Sequence, residues 1–266
     1  MIHLGANSVL FANLELETAF QHIAWAGYDG IEISAIQGMC EHLVLDDWKP
    51  QIDQIKELSE KYNLKLLSME EAALDEDRLI KAFEAGQAIG IPIVNIGPGG
   101  KSGSEEDFAR QTDLIAKLAE KAETYGVTLC VKAHVGCCID NTPTTLRALE
   151  RIKSPAFGID MDPSHIHRAG EKPEEALPPV LSRTRHIHIR DCRGPGPSPG
   201  DAHLQACGRG DINLHAYCKV LVDGGYSGPA CLEVIGAGEY ALSRRAMIAA
   251  ESYGYLNAIL KGLGAR

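Results

Sequence analysis

The sequence has no excess of positive charge. Lysine and arginine total 26 residues, aspartate and glutamate total 36, and the net charge is −10 with histidine neutral. A protein that binds duplex nucleic acid has to neutralise phosphates with a basic surface, and an anionic membrane makes the same demand. We therefore expect neither nucleic acid nor a membrane as a partner.

Long apolar runs, an export signal and paired cysteines are also missing. No window approaches about 18 consecutive apolar residues, the length that a membrane-spanning helix needs. Residues 1–17 lack a basic segment and reach acidic residues early, which is untypical of a secretion signal. The eight cysteines are scattered without a Cys-x-x-Cys pair, as is typical of reduced thiols. These features predict a cytoplasmic protein.

Short β-like runs alternate with longer helical segments along the whole chain. Glycines at 27, 90, 126 and 225 stand where helices end before the next strand, and glycine favours the left-handed helix cap. The predicted strands are Ile2–Ala6, Ile31–Ser34, Leu64–Met69, Ile93–Ile96, Val127–Lys132, Phe157–Met161, His186–Arg190 and Ala230–Val234, and predicted helices include Leu16–Ala26, Pro50–Tyr62, Glu105–Tyr125 and Ala216–Asp223. Strict alternation predicts an all-parallel sheet, and eight strands close a barrel. We expect one domain over residues 1–266, a single (β/α)8 TIM barrel.

Four consecutive predicted strands end in ionisable side chains that share one face. Residues two apart in a strand point to the same side, and such barrels carry their chemistry at the carboxyl ends of the strands. The residues are Lys132 and His134, Asp160 and Asp162, His186 and His188 followed by Arg190, and Cys231 and Glu233. Buried ionisable groups are costly unless they pair or bind something, so the pattern predicts a polar barrel mouth.

Three of these residues form a candidate metal site. Asp162, His188 and Glu233 lie on three successive strands. Carboxylate oxygen and imidazole nitrogen suit Mn²⁺, Zn²⁺, Co²⁺ or Mg²⁺. The alternatives are a structural ion-pair cluster and, for Asp162 alone, a turn or helix cap.

Other polar residues near the strand ends are candidates for contacting a substrate. His165 follows the sixth strand, and it either contacts the ligand or is a solvated loop histidine. Arg190 either binds an anionic or hydroxylated substrate or pairs with its neighbour Asp191. The remaining candidates are His134, Glu70 and Arg209, with Glu32 as a further carboxylate able to bind sugar hydroxyls.

Five motifs resemble the strand-end signatures of the xylose isomerase-like superfamily of sugar phosphate isomerases and epimerases. They are GYDGIEIS (27–34), GIDMDPSHIHRAG (158–170), HIHIRDCRG (186–194), GRGDINL (208–214) and CLEVIGA (231–237), in the family's order. The resemblance implies a divalent metal held by Glu, Asp, His and Glu from strands five to eight. It assigns the last three ligands to Asp162, His188 and Glu233 and places His165 where substrate is often contacted. It also implies a dimer or tetramer.

The first metal ligand of the family pattern is replaced here. The family reads Glu-x-His at the end of strand five, and this chain reads Lys132-Ala133-His134. Two unit charges about 4 Å apart interact by roughly 4 kcal/mol at an effective dielectric of 20, and a divalent ion doubles the repulsion. Three arrangements are open. Lys132 turns aside from a three-ligand metal, which His134 or water completes; or Lys132 is neutral and acts as the base; or no metal binds, and charged Lys132 pairs with Glu233 and Asp162 and stabilises an enolate.

The strand-end chemistry and the resemblance together predict a sugar or polyol isomerase or epimerase. It would take a proton from a carbon next to a carbonyl, with Glu233, Lys132 and His165 as catalytic residues. The alternatives are a non-catalytic barrel that binds a carbohydrate-like ligand, and a metal-free dehydratase or other lyase. An abasic-site endonuclease shares the superfamily's barrel, but the net charge of −10 argues against a DNA-binding face.

Overall fold

In a computed structural model, which describes residues 1–266, eight parallel strands close into a barrel. The strands are β1 (His3–Asn7), β2 (Gly30–Ile36), β3 (Cys40–Glu41), β4 (Lys65–Ala72), β5 (Ile93–Ile96), β6 (Thr128–Lys132), β7 (Phe157–Asp160), β8 (Thr184–Ile189) and β9 (Pro229–Leu232). Each barrel strand pairs with the next along the chain, and β9 pairs with β1. The two-residue β3 forms a small antiparallel ladder with the end of β2 outside the barrel. The predicted TIM barrel is confirmed.

Eight helices lie in the connections between strands, and a ninth follows the last strand. They are α1 (Leu16–Ala26), α2 (Gln51–Tyr62), α3 (Glu76–Ile89), α4 (Glu105–Thr124), α5 (Thr142–Arg151), α6 (Pro163–Arg168), α7 (Pro173–Ala176), α8 (Leu214–Asp223) and α9 (Leu242–Gly262). The bounds predicted for α1, α2 and α4 are correct to within one residue at each end, and α8 begins two residues earlier than predicted. None of the helices combines the length and the apolar character that crossing a membrane requires.

The helix bounds follow from their capping residues. Before α5, the Asn141 side chain accepts from the backbone N–H of Thr144, whose hydroxyl accepts from the backbone N–H of Asn141. This reciprocal capping box satisfies two amide groups that the first helical turn leaves free. Helices α1 and α3 end at Gly27 and Gly90, whose φ angles of +103° and +95° lie in the left-handed region that favours glycine.

The packing separates an apolar layer from a polar barrel interior. A cluster of 66 buried residues, mostly aliphatic and aromatic, joins the strands to the surrounding helices. By contrast, Asp160, His186 and His188 are completely buried within the barrel. The segment between β8 and α8 is irregular except for one 3₁₀ turn at Ala202–Leu204. The barrel therefore presents a polar floor beneath a long connecting loop.

Candidate active site

A cavity of about 350 Å³ opens at the carboxyl ends of the barrel strands. Six of the residues predicted from the sequence line it: Glu70 on β4, Lys132 at the end of β6, His134 just beyond it, His165 on α6, Arg190 after β8 and Glu233 after β9. The strand-end pattern thus brings side chains from five parts of the chain to one place. This is the expected location of chemistry in a TIM barrel.

Lys132 lies at the centre of the cavity floor. Its Nζ is 2.9 Å from Glu70 Oε1 and 2.8 Å from Glu233 Oε1, and all three side chains are buried. Burial opposes the ammonium charge, but the carboxylates of Glu233 and Glu70 outweigh it and raise the pKa of Lys132. The geometry therefore agrees with the charged lysine of the third arrangement, except that Glu70 takes the place expected for Asp162.

Arg190 forms the second buried cation of the site. Its Nη2 lies 3.0 Å from Asp162 Oδ2 and 3.1 Å from Glu233 Oε2, and its Nε donates to Ser164 Oγ at 2.8 Å. Asp162 also caps α6, because its Oδ1 accepts from the backbone N–H of Ser164. The pairing of Arg190 with Asp191 that the sequence left open does not occur. Asp162 combines the helix-cap role with an ion pair.

The two carboxyl groups on either side of Lys132 differ in their readiness to bind a proton. Burial and the nearby charge of Glu233 raise the pKa of Glu70 to about 8, against the attraction of Lys132. For Glu233 burial acts in the same direction, but the Arg190 guanidinium and the Lys132 ammonium hold its pKa well below the usual value. Glu233 Oε2 is held by the Arg190 ion pair alone, without a well-aligned hydrogen bond. Two carboxyls with separated pKa values suit acid and base roles.

His188 faces a buried network beneath the cavity rather than the cavity itself. Its Nε2 lies 2.6 Å from Glu32 Oε2, and its Nδ1 lies 2.6 Å from Asp160 Oδ2. Burial disfavours the imidazolium, but Asp160 and Glu32 outweigh this and raise the pKa of His188. Asn7 Nδ2 donates to both Glu32 and Glu70, which links the network to the cavity floor.

The predicted metal ligands are not brought to one point. Three groups of buried side chains offer ligand atoms within 4.8 Å of one another: Glu32, His186 and Cys231; Asp160, His186 and His188; and Glu32, Glu70 and His188. Neither Asp162 nor Glu233 belongs to any of them. Both carboxylates contact Arg190 instead, and Lys132 binds Glu233 from the other side. A divalent ion between Asp162 and Glu233 would meet two fixed cations, so these residues do not fit one.

One predicted substrate-binding residue lies outside the cavity. Arg209 is on the molecular surface, where its Nε and Nη2 donate to the two carboxylate oxygens of Glu251 on α9, each at 2.6 Å. Glu32 is also absent from the cavity lining, because it is buried against His188 and cannot bind a sugar hydroxyl there. Arg209 is corrected to a surface ion pair that joins the β8–α8 loop to α9.

Several residues of the site were missed at the sequence level. Arg168, the last residue of α6, lines the cavity beside His165. Asn7 and Asn95 each donate to Glu32 in the network beneath. Asn7 ends β1 and Asn95 lies inside β5, so the inward parity of those strands was the available signal. Arg168 had no comparable signal, because its direction depends on the short helix α6.

Comparison with known proteins places the fold in a family. The sequence profile described as the xylose isomerase-like TIM barrel matches residues 20–259. An inosose isomerase of Halalkalibacterium halodurans is 26% identical over 82% of this chain and 82% of its own length. A fructoselysine 3-epimerase of Escherichia coli is 24% identical over 84% of this chain and 86% of its own. The crystal structure of the IOLI protein with a binding zinc atom has a TM-score of 0.79 at 20% identity, covering 98% of this chain and 99% of that one.

Proposed function

Because the chain belongs to the xylose isomerase-like TIM barrel family, we propose that it is a sugar or polyol isomerase, epimerase or dehydratase. Relatives that are 23–26% identical to it are named isomerases, epimerases and dehydratases. The observation that carries the proposal is the Lys132 ammonium, held between Glu70 and Glu233 on the floor of the cavity. The reaction would move a proton at a carbon next to a carbonyl group. The predictions of a cytoplasmic location and of a dimer or tetramer stay predictions.

Each group of the site has a part in such a reaction. A carboxylate takes the proton from the carbon, the electron pair moves onto the carbonyl oxygen, and the Lys132 ammonium stabilises the resulting oxyanion. Glu233 Oε2 is the proposed acceptor because Lys132 binds the other oxygen, Oε1, and the one contact of Oε2 is its ion pair with Arg190. Glu70, with a pKa of about 8, exchanges a proton near neutral pH and returns one to the intermediate. A dehydration would follow if the electron pair of the same intermediate instead expelled the hydroxyl group of the neighbouring carbon as water, with Glu70 supplying the proton.

In our proposal, the positive charge that stabilises the oxyanion comes from protein side chains and not from a metal ion. Zinc in the IOLI structure makes a divalent metal the natural expectation for this family. Here Lys132 replaces one carboxylate of the resembled ligand pattern, and Arg190 occupies the approach to Asp162 and Glu233. No step is therefore assigned to a metal at Asp162, His188 and Glu233. Lys132 and Arg190 supply the electrostatic stabilisation instead.

Exchange of substrate hydrogen with solvent tests the proposal directly. The protein is incubated in D₂O with an inosose, D-fructose and D-tagatose, and deuterium at the carbon next to the carbonyl is followed by ¹H NMR. We expect exchange with at least one of them. Glu233→Gln and Glu70→Gln should each slow it by about 10²–10⁴-fold, the usual contribution of a positioned acid or base. Glu57→Gln, on the exposed face of α2, is the matched control and should exchange at the wild-type rate.

The second candidate function is binding without catalysis. It is favoured by one observation, the replacement of the expected carboxylate by Lys132. A protein that binds these ketoses, measured calorimetrically, yet exchanges no hydrogen in any of them would support this candidate and contradict an enzyme. Exchange that persists in Glu233→Gln would instead remove Glu233 from the role of base.

A further inference from the structure

We propose that the substrate carries an anionic group, a carboxylate or a phosphate, which Arg168 and His165 bind at the wall of the cavity. This inference rests on the proposed function, and it narrows the substrate from sugars in general to acidic ones. Three observations support it: a buried arginine without a counter-ion, a histidine surrounded by hydrogen-bond donors, and the sign of charge in the cavity.

Arg168 is a buried cation that contacts no carboxylate. Its side chain lines the cavity and the residue is only 5% exposed. Its Nε donates to the backbone oxygen of Ser164 at 3.2 Å, and its Nη1 to that of Pro197 at 2.7 Å. The other arginine of the cavity, Arg190, has two carboxylates within 3.1 Å. A buried charge without a counter-ion is energetically unfavourable. An anionic ligand that contacts Arg168 would remove this cost.

A second buried arginine shows what a purely structural arrangement looks like. Arg245 also lacks a carboxylate partner, but its Nε, Nη1 and Nη2 each donate to a backbone carbonyl, those of Tyr240, Ala12 and Gly238. Arg168 differs at one position, because its Nη2 points at the ring of His165 instead of an oxygen. No protein oxygen therefore accepts from Arg168 Nη2.

His165 cannot satisfy the donors that surround it. Its Nδ1 lies 3.2 Å from the backbone N of Val135 and 2.8 Å from Arg168 Nη2. Its Nε2 lies 3.0 Å from Arg190 Nη2 and 3.1 Å from Arg168 Nη2. Burial and the neighbouring Arg190 lower the pKa of His165 far below its usual value, so the ring is neutral. A neutral imidazole has one acceptor nitrogen and one N–H, so one N–H of His165 faces only donors.

No protein oxygen resolves this surplus of donors. The carboxylate oxygen nearest to His165 is Asp162 Oδ2, 3.7 Å from Nε2, which is beyond hydrogen-bond distance. The same oxygen already accepts from Arg190. A negatively charged oxygen placed in the cavity next to Arg168 and His165 would accept from both. Hydrogen bonds between an arginine fork and a carboxylate or phosphate are among the strongest available to a protein.

The charge of the cavity supports the same conclusion. The chain as a whole has a net charge of −10. Yet its cavity is lined by three cations, Lys132, Arg168 and Arg190, against two carboxyl groups, Glu70 and Glu233. A concave site with an excess of one sign of charge attracts ligands of the opposite sign. An uncharged sugar would gain nothing from this excess of charge, and its hydroxyls would form weaker hydrogen bonds with the Arg168 guanidinium than an anion would.

Arg168 also has a structural role, and the test has to distinguish that role from ligand binding. Its bond to the Pro197 oxygen attaches the β8–α8 loop, whose Pro197 and Pro199 line the cavity. Loss of this attachment would weaken the binding of every ligand. Loss of an anion-binding group would weaken only the binding of charged ones. The test therefore compares charged and uncharged ligands of the same carbon skeleton.

The experiment is isothermal titration calorimetry with three ketoses: D-fructose, 2-keto-D-gluconate and D-fructose 6-phosphate. We expect at least one anionic ketose to bind the wild-type protein at least about tenfold more tightly than D-fructose, as for one desolvated charged hydrogen bond. Whether the carboxylate or the phosphate is preferred identifies the anionic group. Arg168→Gln should abolish the preference, and Arg168→Lys should retain part of it. Arg110→Gln, at an exposed arginine of α4, is the control and should retain all of it.

Several results would overturn the inference. One is that neither anionic ketose binds more tightly than D-fructose, or that none of the three binds. Another is that Arg168→Gln weakens all ligands equally, since that is the signature of a loop attachment. Solvent exchange separates this failure from that of the proposed function. If the protein exchanges hydrogen in uncharged ketoses and Arg168→Gln changes no affinity, the proposed function stands and the anionic substrate is ruled out. If anionic ketoses bind more tightly through Arg168 but no ketose exchanges hydrogen, the anion site stands and the proposed reaction is ruled out.

Discussion

At the scale of single residues, Lys132 holds two buried carboxyl groups together. Without Lys132, Glu70 would have no lysine or arginine beside it and Glu233 would keep only Arg190; removing one partner of a buried ion pair typically costs about 3–5 kcal/mol. We therefore expect Lys132→Met to lower the free energy of unfolding by about this amount, even though methionine is apolar and of similar length. Urea denaturation followed by circular dichroism measures the change. Lys61→Met breaks an exposed pair with Glu17 and should have little effect.

An unchanged free energy of unfolding in Lys132→Met would show that the Lys132 ammonium does not stabilise Glu70 and Glu233.

A second substitution at the same position tests whether a metal can bind there. Lys132→Glu restores the carboxylate of the family pattern but adds a negative charge to a buried acidic pair. We expect the protein to be destabilised in chelator. Recovery of its stability on addition of Mn²⁺ or Zn²⁺ would show that a metal can occupy the position that Lys132 holds in this chain.

The sequence indicated which residues meet and one of the pairs, Lys132 with Glu233, but not the other pairs. Inward parity predicted that Lys132, Arg190 and Glu233 would share the barrel mouth, and they do. The pairing of Lys132 with Glu70 joins residues 62 positions apart, and it depends on rotamers within a closed barrel. The helix-cap alternative for Asp162 was correct, but it did not include the ion pair with Arg190. Arg168 was out of reach because periodicity says nothing about a six-residue helix.

At the scale of elements, the loop between β8 and α8 is organised by one buried carboxylate. Asp191 Oδ1 accepts from the backbone N–H groups of Cys192 and Ile212, and Oδ2 accepts from that of Gly208. A Cβ added to Gly210 would lie 2.2 Å from Asp191 Oδ1, so the glycine packs directly on this carboxylate. The loop is therefore anchored at both ends while its middle covers the cavity.

Asp191→Asn is expected to loosen this loop. The amide keeps the shape of the side chain, but its NH₂ group cannot accept a hydrogen bond. Each lost hydrogen bond to a charged group is worth about 1.5–3 kcal/mol. We predict faster proteolysis of the loop and a lower melting temperature. Asp201→Asn is the control within the same loop, because Asp201 is exposed and its side chain caps nothing. Equal proteolysis of both variants would contradict the anchoring role.

Long periodic elements were predicted well, and short ones were not. The helical stretch predicted at 105–125 corresponds to α4, and its N-cap Ser104 accepts from the backbone N–H of Asp107. The two-residue β3 and the four-residue α7 escaped prediction, because they contain less than one period of any pattern. They are formed by tertiary packing rather than by local preference.

At the scale of the whole molecule, closure of the barrel followed from counting strands. Alternation fixes parallel neighbours, and eight strands of ordinary twist meet at their edges. The register of β9 on β1, with Gly5 beside Cys231, was not available from the sequence, because it depends on packing inside the barrel. Closure also predicts that the strands and the surrounding helices unfold as one unit, since each strand is held from both sides.

The cysteines provide a probe of that cooperativity. All eight are free, and seven are buried, while Cys137 is partly exposed. Burial raises the pKa of Cys192 to about 11 and that of Cys218 to about 12, so little reactive thiolate forms in the native protein. Burial raises the pKa of Cys137 as well, but its thiol is the partly exposed one, so iodoacetamide should add one group there, as read by intact mass, and eight in guanidinium chloride. Cys137→Ser should remove the native adduct.

The same reagent tests whether the barrel and its helices unfold together. Under slow unfolding, Cys130 in the barrel and Cys218 on α8 should be labelled at the same rate. Faster labelling of Cys218 would show that the helices open independently of the barrel.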